Sequence, residues 1–282
     1  MICRLLPVVY FISKFFIFNV VAYADTHDRI NVFVSIPPQK FLVEQVGNDR
    51  VSVNVMVKPG SSPETYEPTP KQMAALSKSQ LYFQIGVPFE SVWIDKIKQS
   101  NSKLKVIGCC KNLVAGNESN YFLDTHIWTS PDNVRKLASV IKDTLIDHDP
   151  DKKIFYEQNY SLLIDKLDEL DRYIRNQLSN MKNRYLIVSH PSWGYFAKNY
   201  NLKQLSIEQD GSEIRAKELS MLVEFAKSEN IKTIYIQKQV NNASARILAK
   251  EINASLVELD PLAENYIENM QQVANEIAKG AE

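Results

Sequence analysis

A stretch of about thirty residues without glycine or proline lies in the middle of the chain, between Pro150 and Lys182. Within it, apolar residues recur at steps of three and four positions: Tyr160, Leu163, Leu167, Leu170, Ile174, Leu178 and Met181. This spacing predicts one unbroken helix over residues 150–182. Such a helix is roughly 45 Å long, longer than an ordinary globular helix and able to bridge two domains. A bridge of this kind predicts restricted movement between the two parts of the chain.

Short apolar runs alternate with helical patterns on both sides of that helix. Before it, strands are predicted at 30–36, 51–57, 81–85 and 104–107, and helices begin near Gln39, Lys71, Phe89 and Asn133. After it, strands are predicted at 185–188, 205–207, 233–237 and 256–259, and helices near 193–200, 216–229, 243–252 and 266–278. This alternation is typical of α/β domains with mainly parallel sheets. We therefore predict two α/β lobes, residues 25–149 and 183–282.

The composition excludes two classes of protein. The chain has 33 Lys and Arg against 33 Asp and Glu, so it lacks the positive charge of a polycationic nucleic-acid binder. Hydrophobic residues make up 45% of the sequence, which excludes a disordered chain. We predict no nucleic-acid partner.

The first 24 residues have the pattern of an export signal. A basic Arg4 precedes two apolar runs, and Ala22 and Ala24 occupy the −3 and −1 positions of a predicted cut before the polar Asp25. The alternative is an uncleaved membrane anchor, although Lys14 and Asn19 interrupt the apolar run. Removal of the segment leaves 31 basic and 33 acidic residues, so the exported chain would be nearly neutral.

The cysteines offer neither a disulfide framework nor a thiolate metal site. Cys3 would leave with the signal segment, and the remaining Cys109 and Cys110 are adjacent, which permits only a strained ring. No further cysteine is present to complete a thiolate zinc site. We expect the pair to end the buried strand predicted at 104–107.

Two candidate metal ligands follow predicted strands directly. His190 comes after the apolar run 185–189, and Asp260 comes after the run 256–259. Ligands bind at the carboxyl edge of open α/β sheets, so these two side chains are predicted to share one crevice. His126 lies in a loop before the helix near Asn133, where a purely structural histidine is an open alternative. His27 and His148 are expected to be bystanders, at the polar terminus and at a helix end.

A loop rich in turn residues, PGSSPETYEPTP at 59–70, carries two further carboxylates, Glu64 and Glu67. Its prolines fix φ and stiffen the loop, which suits a segment that holds a side chain over a cleft. The alternative is that both glutamates are ordinary solvated carboxylates.

Five segments together resemble one family. They are SIPPQ at 35–39, the loop at 59–70, DTHIWTSP at 124–131, SHPSWGYF at 189–196 and LDPLA at 259–263. In this order they resemble the zinc- and manganese-binding solute-binding proteins of bacterial ABC transporters. The resemblance covers nearly the whole chain after residue 24.

The resemblance implies a bilobed, periplasmic protein with a long backbone helix and one metal ion in the cleft between the lobes. By position, the ligands are Glu64 and His126 from the first lobe and His190 and Asp260 from the second. Asp124 and Glu67 are candidates to orient these ligands, and a plain loop cap is the alternative role of Asp124. The implied cargo is Zn²⁺, with Mn²⁺ or Fe²⁺ as alternatives, and the implied partner is an inner-membrane ABC permease with its cytoplasmic ATPase.

The chain departs from the family pattern in three places. The family usually has histidine where this chain has Glu64 and proline where it has Thr125. The histidine-rich loop expected before His126 is missing, because residues 111–121 contain no histidine. These departures leave open the identity of the metal and whether Glu64 binds it.

Two other functions are alternatives to metal transport. A metal-dependent hydrolase would use similar ligands, but it needs an open position for water and a separate base. The four candidate ligands leave no open position, and Glu67 is the only spare carboxylate near them in the sequence. We therefore predict that the protein is not an enzyme. An adhesin, or a binder that has lost its affinity through Glu64, is the second alternative.

Overall fold

The computed structural model describes residues 29–109, 124–209 and 212–281. The predicted signal segment 1–24, His27, Cys110 and the loop 111–121 lie outside these residues. Within them, every helix is too short or too polar to cross a membrane.

The first lobe is built on a parallel four-stranded sheet. Its strands are β1 (Ile30–Val34), β2 (Val51–Val55), β3 (Leu81–Gln84) and β4 (Lys105–Gly108), in the order β2-β1-β3-β4. The helices are α1 (Pro37–Gly47), α2 (Pro70–Leu76), α3 (Pro88–Ser100) and α4 (Pro131–His148). Each of these helices has proline in its first turn, where the missing N–H costs nothing.

The second lobe repeats this design after the long helix α5 (Lys153–Leu178). Four parallel strands take the order β10-β9-β5-β6, and a short antiparallel hairpin, β7-β8, follows β6. The strands are β5 (Tyr185–Val188), β6 (Lys203–Ser206), β7 (Glu208–Gln209), β8 (Ser212–Glu213), β9 (Thr233–Ile236) and β10 (Ser255–Glu258). The helices are α6 (Gly194–Asn199), α7 (Ala216–Ser228), α8 (Ala243–Ile252) and α9 (Tyr266–Gly280). The predicted α/β fold is confirmed, and the hairpin is an addition to it.

Helix α5 packs against both lobes. Five of the predicted apolar positions, including Leu167 and Ile174, are buried along one face. Asn159 Nδ2 donates to the carbonyl of Val46 in α1 at 3.0 Å, and Tyr173 donates to Asn275 in α9 at 2.8 Å. The helix ends at Leu178, four residues before the predicted Lys182.

A continuous hydrophobic core passes from the first sheet through α5 to α9. The lobes also contact each other directly, because Trp128 Nε1 donates to the carbonyl of Pro261 at 2.7 Å. The aromatic rings of Phe41 and Tyr266 pack with their centroids 6.0 Å apart. These contacts couple the lobes through packed side chains as well as through one helix.

We expect zinc to cause only a small change in overall shape, because moving the lobes far apart would open this shared core. Small-angle X-ray scattering of metal-free and zinc-loaded protein should give nearly superimposable profiles. A wide swing of the lobes, visible as a clear decrease of the radius of gyration on loading, would contradict the packing argument.

The SIPPQ segment has a structural role. The Gln39 side chain accepts from the Ser35 backbone N–H at 3.0 Å and donates to the Phe83 carbonyl at 3.1 Å, which joins β1, α1 and β3. Ser35 also donates to the buried carboxyl of Glu90, and that carboxyl accepts from the Gly86 N–H at 2.7 Å. Burial raises the pKa of Glu90. This network fixes the carboxyl edge of the first sheet.

The residues around Cys109 differ from the prediction. Cys109 is buried, but strand β4 before it lies at the edge of the sheet and has exposed residues at both ends, Lys105 and Gly108. The prediction of a buried strand was therefore wrong, since an edge strand has only one neighbour to cover it. His148 is the exposed last residue of α4, in agreement with the prediction of a helix end.

Candidate metal centre

Three of the four predicted ligands converge on one point. Glu64, His126 and His190 each offer a ligand atom, and these atoms all lie within 4.8 Å of one another. The two Nε2 atoms of the histidines are 3.3 Å apart, and Glu64 Oε1 is 3.8 Å from His190 Nε2. Two lobes therefore contribute to one cluster.

The strand and loop geometry explains this convergence. His190 follows β5 at the carboxyl edge of the second sheet, as its position after the apolar run predicts. Glu64 lies in the loop between β2 and α2, where its backbone N–H donates to Ser62 Oγ at 3.2 Å. His126 precedes the 3₁₀ turn that leads into α4. Both imidazoles are buried, whereas the Glu64 side chain is 35% exposed.

Each histidine has a carboxylate on its other ring nitrogen. Asp124 Oδ1 lies 2.8 Å from His126 Nδ1 and also accepts from the His126 backbone N–H at 2.9 Å. Glu208 Oε2 lies 2.8 Å from His190 Nδ1. A carboxylate partner places a proton on Nδ1, and in the neutral imidazole this leaves the lone pair on Nε2 for a metal. The two lone pairs face each other across the common point.

A cation resolves the repulsion between these lone pairs. In a tetrahedral zinc site the Zn–N distances are about 2.0–2.1 Å, so two ligating nitrogens are about 3.3 Å apart. The separation of the two Nε2 atoms, 3.3 Å, matches that value. Two imidazoles and one carboxylate are also a donor set that zinc accepts. The residues present therefore fit a zinc ion.

Asp260 lies outside this three-residue cluster. Its Oδ1 accepts from Gln239 Nε2 at 2.9 Å and from the Leu262 backbone N–H at 2.9 Å. Glu67 is exposed in its loop and is not part of the cluster either. Their assignment to the site stays a prediction from sequence.

The sequence analysis did not predict Glu208 as a residue of the site. Glu208 follows β6, which neighbours β5 in the sheet, so its position obeys the same edge rule that identified His190 and Asp260. Its signal was a carboxylate at the end of a predicted strand.

A cavity of about 370 Å³ lies beside the cluster. Its lining includes the polar residues Ser62, Glu64, Ser189, His190, Glu208 and Gln239. The cavity gives an ion a path to Glu64 and His190 and leaves room for a water molecule as a further ligand.

Replacement of Glu208 with alanine should weaken zinc binding roughly 10- to 100-fold, because His190 loses the carboxylate that orients it. Zinc affinity is measured by competition with a chromophoric chelator. The matched control is Glu224→Ala, which removes an exposed glutamate from α7 and should leave affinity unchanged. Equal affinities of the Glu208→Ala and Glu224→Ala variants would contradict the orienting role.

Solved structures with this architecture are known. The crystal structure of ZnuA is 38% identical in sequence and superimposes with a TM-score of 0.87, covering 90% of this chain and 100% of that one. A deletion mutant of ZnuA with zinc bound is also 38% identical, with a TM-score of 0.85 and coverage of 90% of this chain and 98% of that one.

A relative from Bacillus subtilis (strain 168), the high-affinity zinc uptake system protein ZnuA, is 28% identical over 253 residues. The alignment covers 83% of this chain and 79% of that protein. The family described as "ZnuA: Zinc-uptake complex component A periplasmic" matches residues 32–280. The match spans both lobes and the helix between them. The chain therefore belongs to the ZnuA family, the periplasmic A component of zinc-uptake complexes.

Proposed function

We propose that this protein captures zinc in the periplasm and delivers it to an ABC-type permease in the inner membrane, which is driven by a cytoplasmic ATPase. The observation that carries the proposal is the pair of Nε2 atoms, one from each lobe, which lie 3.3 Å apart with Glu64 beside them. Zinc is the transported cargo, and the protein releases it without any chemical change. The names of the zinc-bound ZnuA deletion mutant and of the Bacillus subtilis zinc uptake protein support this cargo.

The proposed ligands are Glu64 and His126 from the first lobe and His190 and Asp260 from the second. Asp124 and Glu208 orient the two imidazoles through Nδ1. Oδ1 of Asp260 accepts from Gln239 and Leu262 and the residue lies outside the three-residue cluster, so Asp260 has to move to reach the ion. Until it does, a water molecule from the neighbouring cavity completes the coordination.

Zinc is favoured over the alternatives Mn²⁺ and Fe²⁺ by the two imidazole nitrogens. Sites with nitrogen and oxygen donors bind zinc more tightly than manganese or ferrous iron. Carboxylates favour harder ions, and Glu64 is therefore the residue through which manganese would compete.

The proposed cycle uses the position of the ligands on two lobes. Docking on the permease separates the lobes slightly and pulls Glu64 and His126 away from His190, so the ion loses its chelation. Both imidazoles have to be neutral to bind metal, and zinc affinity therefore falls as the medium becomes acidic. A disulfide engineered across the cleft should leave zinc bound but block transport.

The proposed role contains no chemical step. A hydrolase would need a base beside a metal-bound water. In the described cluster, the carboxylates of Asp124 and Glu208 are engaged by the histidines. Zinc-loaded protein should therefore be inactive in esterase and phosphatase screens, and turnover that is lost with His190→Ala would favour the hydrolase.

Elemental analysis of protein purified from the periplasm, followed by competitive titration, tests the cargo. We expect about one zinc per chain and no displacement of zinc by an excess of manganese. Manganese in the purified protein, or displacement of zinc by manganese, would overturn the assignment.

The proposed route to the periplasm is export through residues 1–24 with cleavage before Asp25. Amino-terminal sequencing of the periplasmic protein should begin at Asp25. Recovery of the intact chain in the membrane fraction would instead indicate an uncleaved anchor.

A further inference from the structure

The carboxylate that orients His126 lies at the contact between the two lobes. Asp124 Oδ1 accepts from the backbone N–H and from Nδ1 of His126, at 2.9 and 2.8 Å. Its other oxygen, Oδ2, faces Gly194, the first residue of α6 in the second lobe. Asp124 thus contacts a ligand of its own lobe on one side and the opposite lobe on the other.

Gly194 leaves just enough space for this carboxylate. A Cβ atom at Gly194 would be 2.7 Å from Asp124 Oδ2 and 3.9 Å from Asp124 Cγ. A separation below about 3 Å is a clash, so any side chain at this position displaces the carboxylate. The backbone of Gly194 is not in the left-handed region, so the constraint at this position comes from space and not from conformation.

The rest of α6 fastens the same segment of the first lobe. Tyr195 donates to the Asp124 carbonyl at 3.2 Å. Asn199 Nδ2 donates to Ser130 Oγ at 2.9 Å, and Ser130 caps the first turn of α4. The segment that carries His126 is therefore held at both ends by one short helix of the other lobe.

We propose that Gly194 seats Asp124 against His126 and so links the orientation of this ligand to the contact between the lobes. The inference rests on the proposed zinc capture and explains how release is triggered. When the lobes are in contact, Gly194 confines the Asp124 carboxylate and His126 Nε2 points at the ion. When the lobes separate, Asp124 loses this confinement, His126 is free to rotate, and the ion dissociates.

Gly194→Ala tests this role without changing a ligand. We expect zinc affinity to fall roughly 10- to 100-fold, the range for loss of a partner of a metal-binding histidine. The loss should appear in the dissociation rate, and the absorption bands of the Co²⁺-loaded protein should change because one imidazole is reoriented. The melting temperature of the metal-free protein should change only slightly, because the displaced atom is the end of a side chain that is 33% exposed. Lys198→Ala, an exposed change on the same helix, is the control and should alter none of these quantities.

A double variant shows whether the effect passes through Asp124. Asp124→Ala removes the carboxylate, so adding Gly194→Ala to it should cause no further loss of zinc affinity. An equal loss in both backgrounds, or an unchanged affinity of Gly194→Ala in a protein that binds zinc normally, would overturn the inference. Failure of the original protein to bind zinc would instead refute the proposed function.

Discussion

His190→Ala is expected to weaken zinc binding by roughly two to three orders of magnitude. Zinc sites with four ligands have apparent binding free energies of about 10–16 kcal/mol, which is about 3 kcal/mol per ligand. Each 1.4 kcal/mol corresponds to about a tenfold change in affinity. The substitution also leaves the Glu208 carboxylate in a partly buried position without its imidazole partner.

Competitive titration with a chelator of known affinity measures this loss, and calorimetry gives the stoichiometry. His148→Ala is the matched control, because it removes an exposed histidine at the end of α4 and should leave zinc affinity unchanged. A His190→Ala variant that still binds one zinc with nearly the original affinity would refute the assignment of the cluster as the metal site.

Most strands and helices of the fold could be predicted from local patterns in the sequence. Strand β5 and helix α8 begin and end at the residues predicted for them, because a glycine-free apolar run and a helical repeat are both local signals. The hairpin at β7 and β8 has only two residues in each strand, too few to give a period-2 pattern.

Part of the candidate site could also be predicted from the sequence. The edge rule for parallel sheets and the resemblance identified Glu64, His126 and His190, which the structure brings together. The rule places a side chain at an edge, but it does not say which way the side chain turns. Asp260 is at the predicted edge and turns to Gln239, an interaction that depends on a loop from another part of the second lobe. Site residues that depend on such side-chain contacts require the three-dimensional structure.

Glu64 is the carboxylate that the structure places beside the two imidazoles of the cluster. Its side chain is the most exposed member of the cluster and lies on a loop that proline residues stiffen. A carboxylate in place of an imidazole adds a negative charge and an oxygen donor, both of which favour harder ions relative to zinc. The substitution therefore bears directly on metal selectivity.

Glu64→His is expected to retain zinc binding and to lose manganese binding by at least about tenfold, because a third nitrogen donor favours zinc over manganese. Glu64→Ala should weaken the binding of both ions by roughly 100-fold, since it removes one ligand without replacement. Parallel titrations with each ion give the ratio of the two affinities for every variant.

Glu67→Ala is the control for these two variants, because Glu67 is an exposed carboxylate of the same loop and lies outside the cluster. It should leave both affinities within about twofold of the original protein, as expected for a surface substitution. Loss of zinc binding in Glu67→Ala but not in Glu64→Ala would show that Glu67, and not Glu64, is the ligand. A rise in zinc affinity by orders of magnitude in Glu64→His, from a natural protein that hardly binds zinc, would show that Glu64 had disabled the site. In that case the chain would be a degenerate binder, and its natural role would have to be sought in adhesion and not in zinc transport.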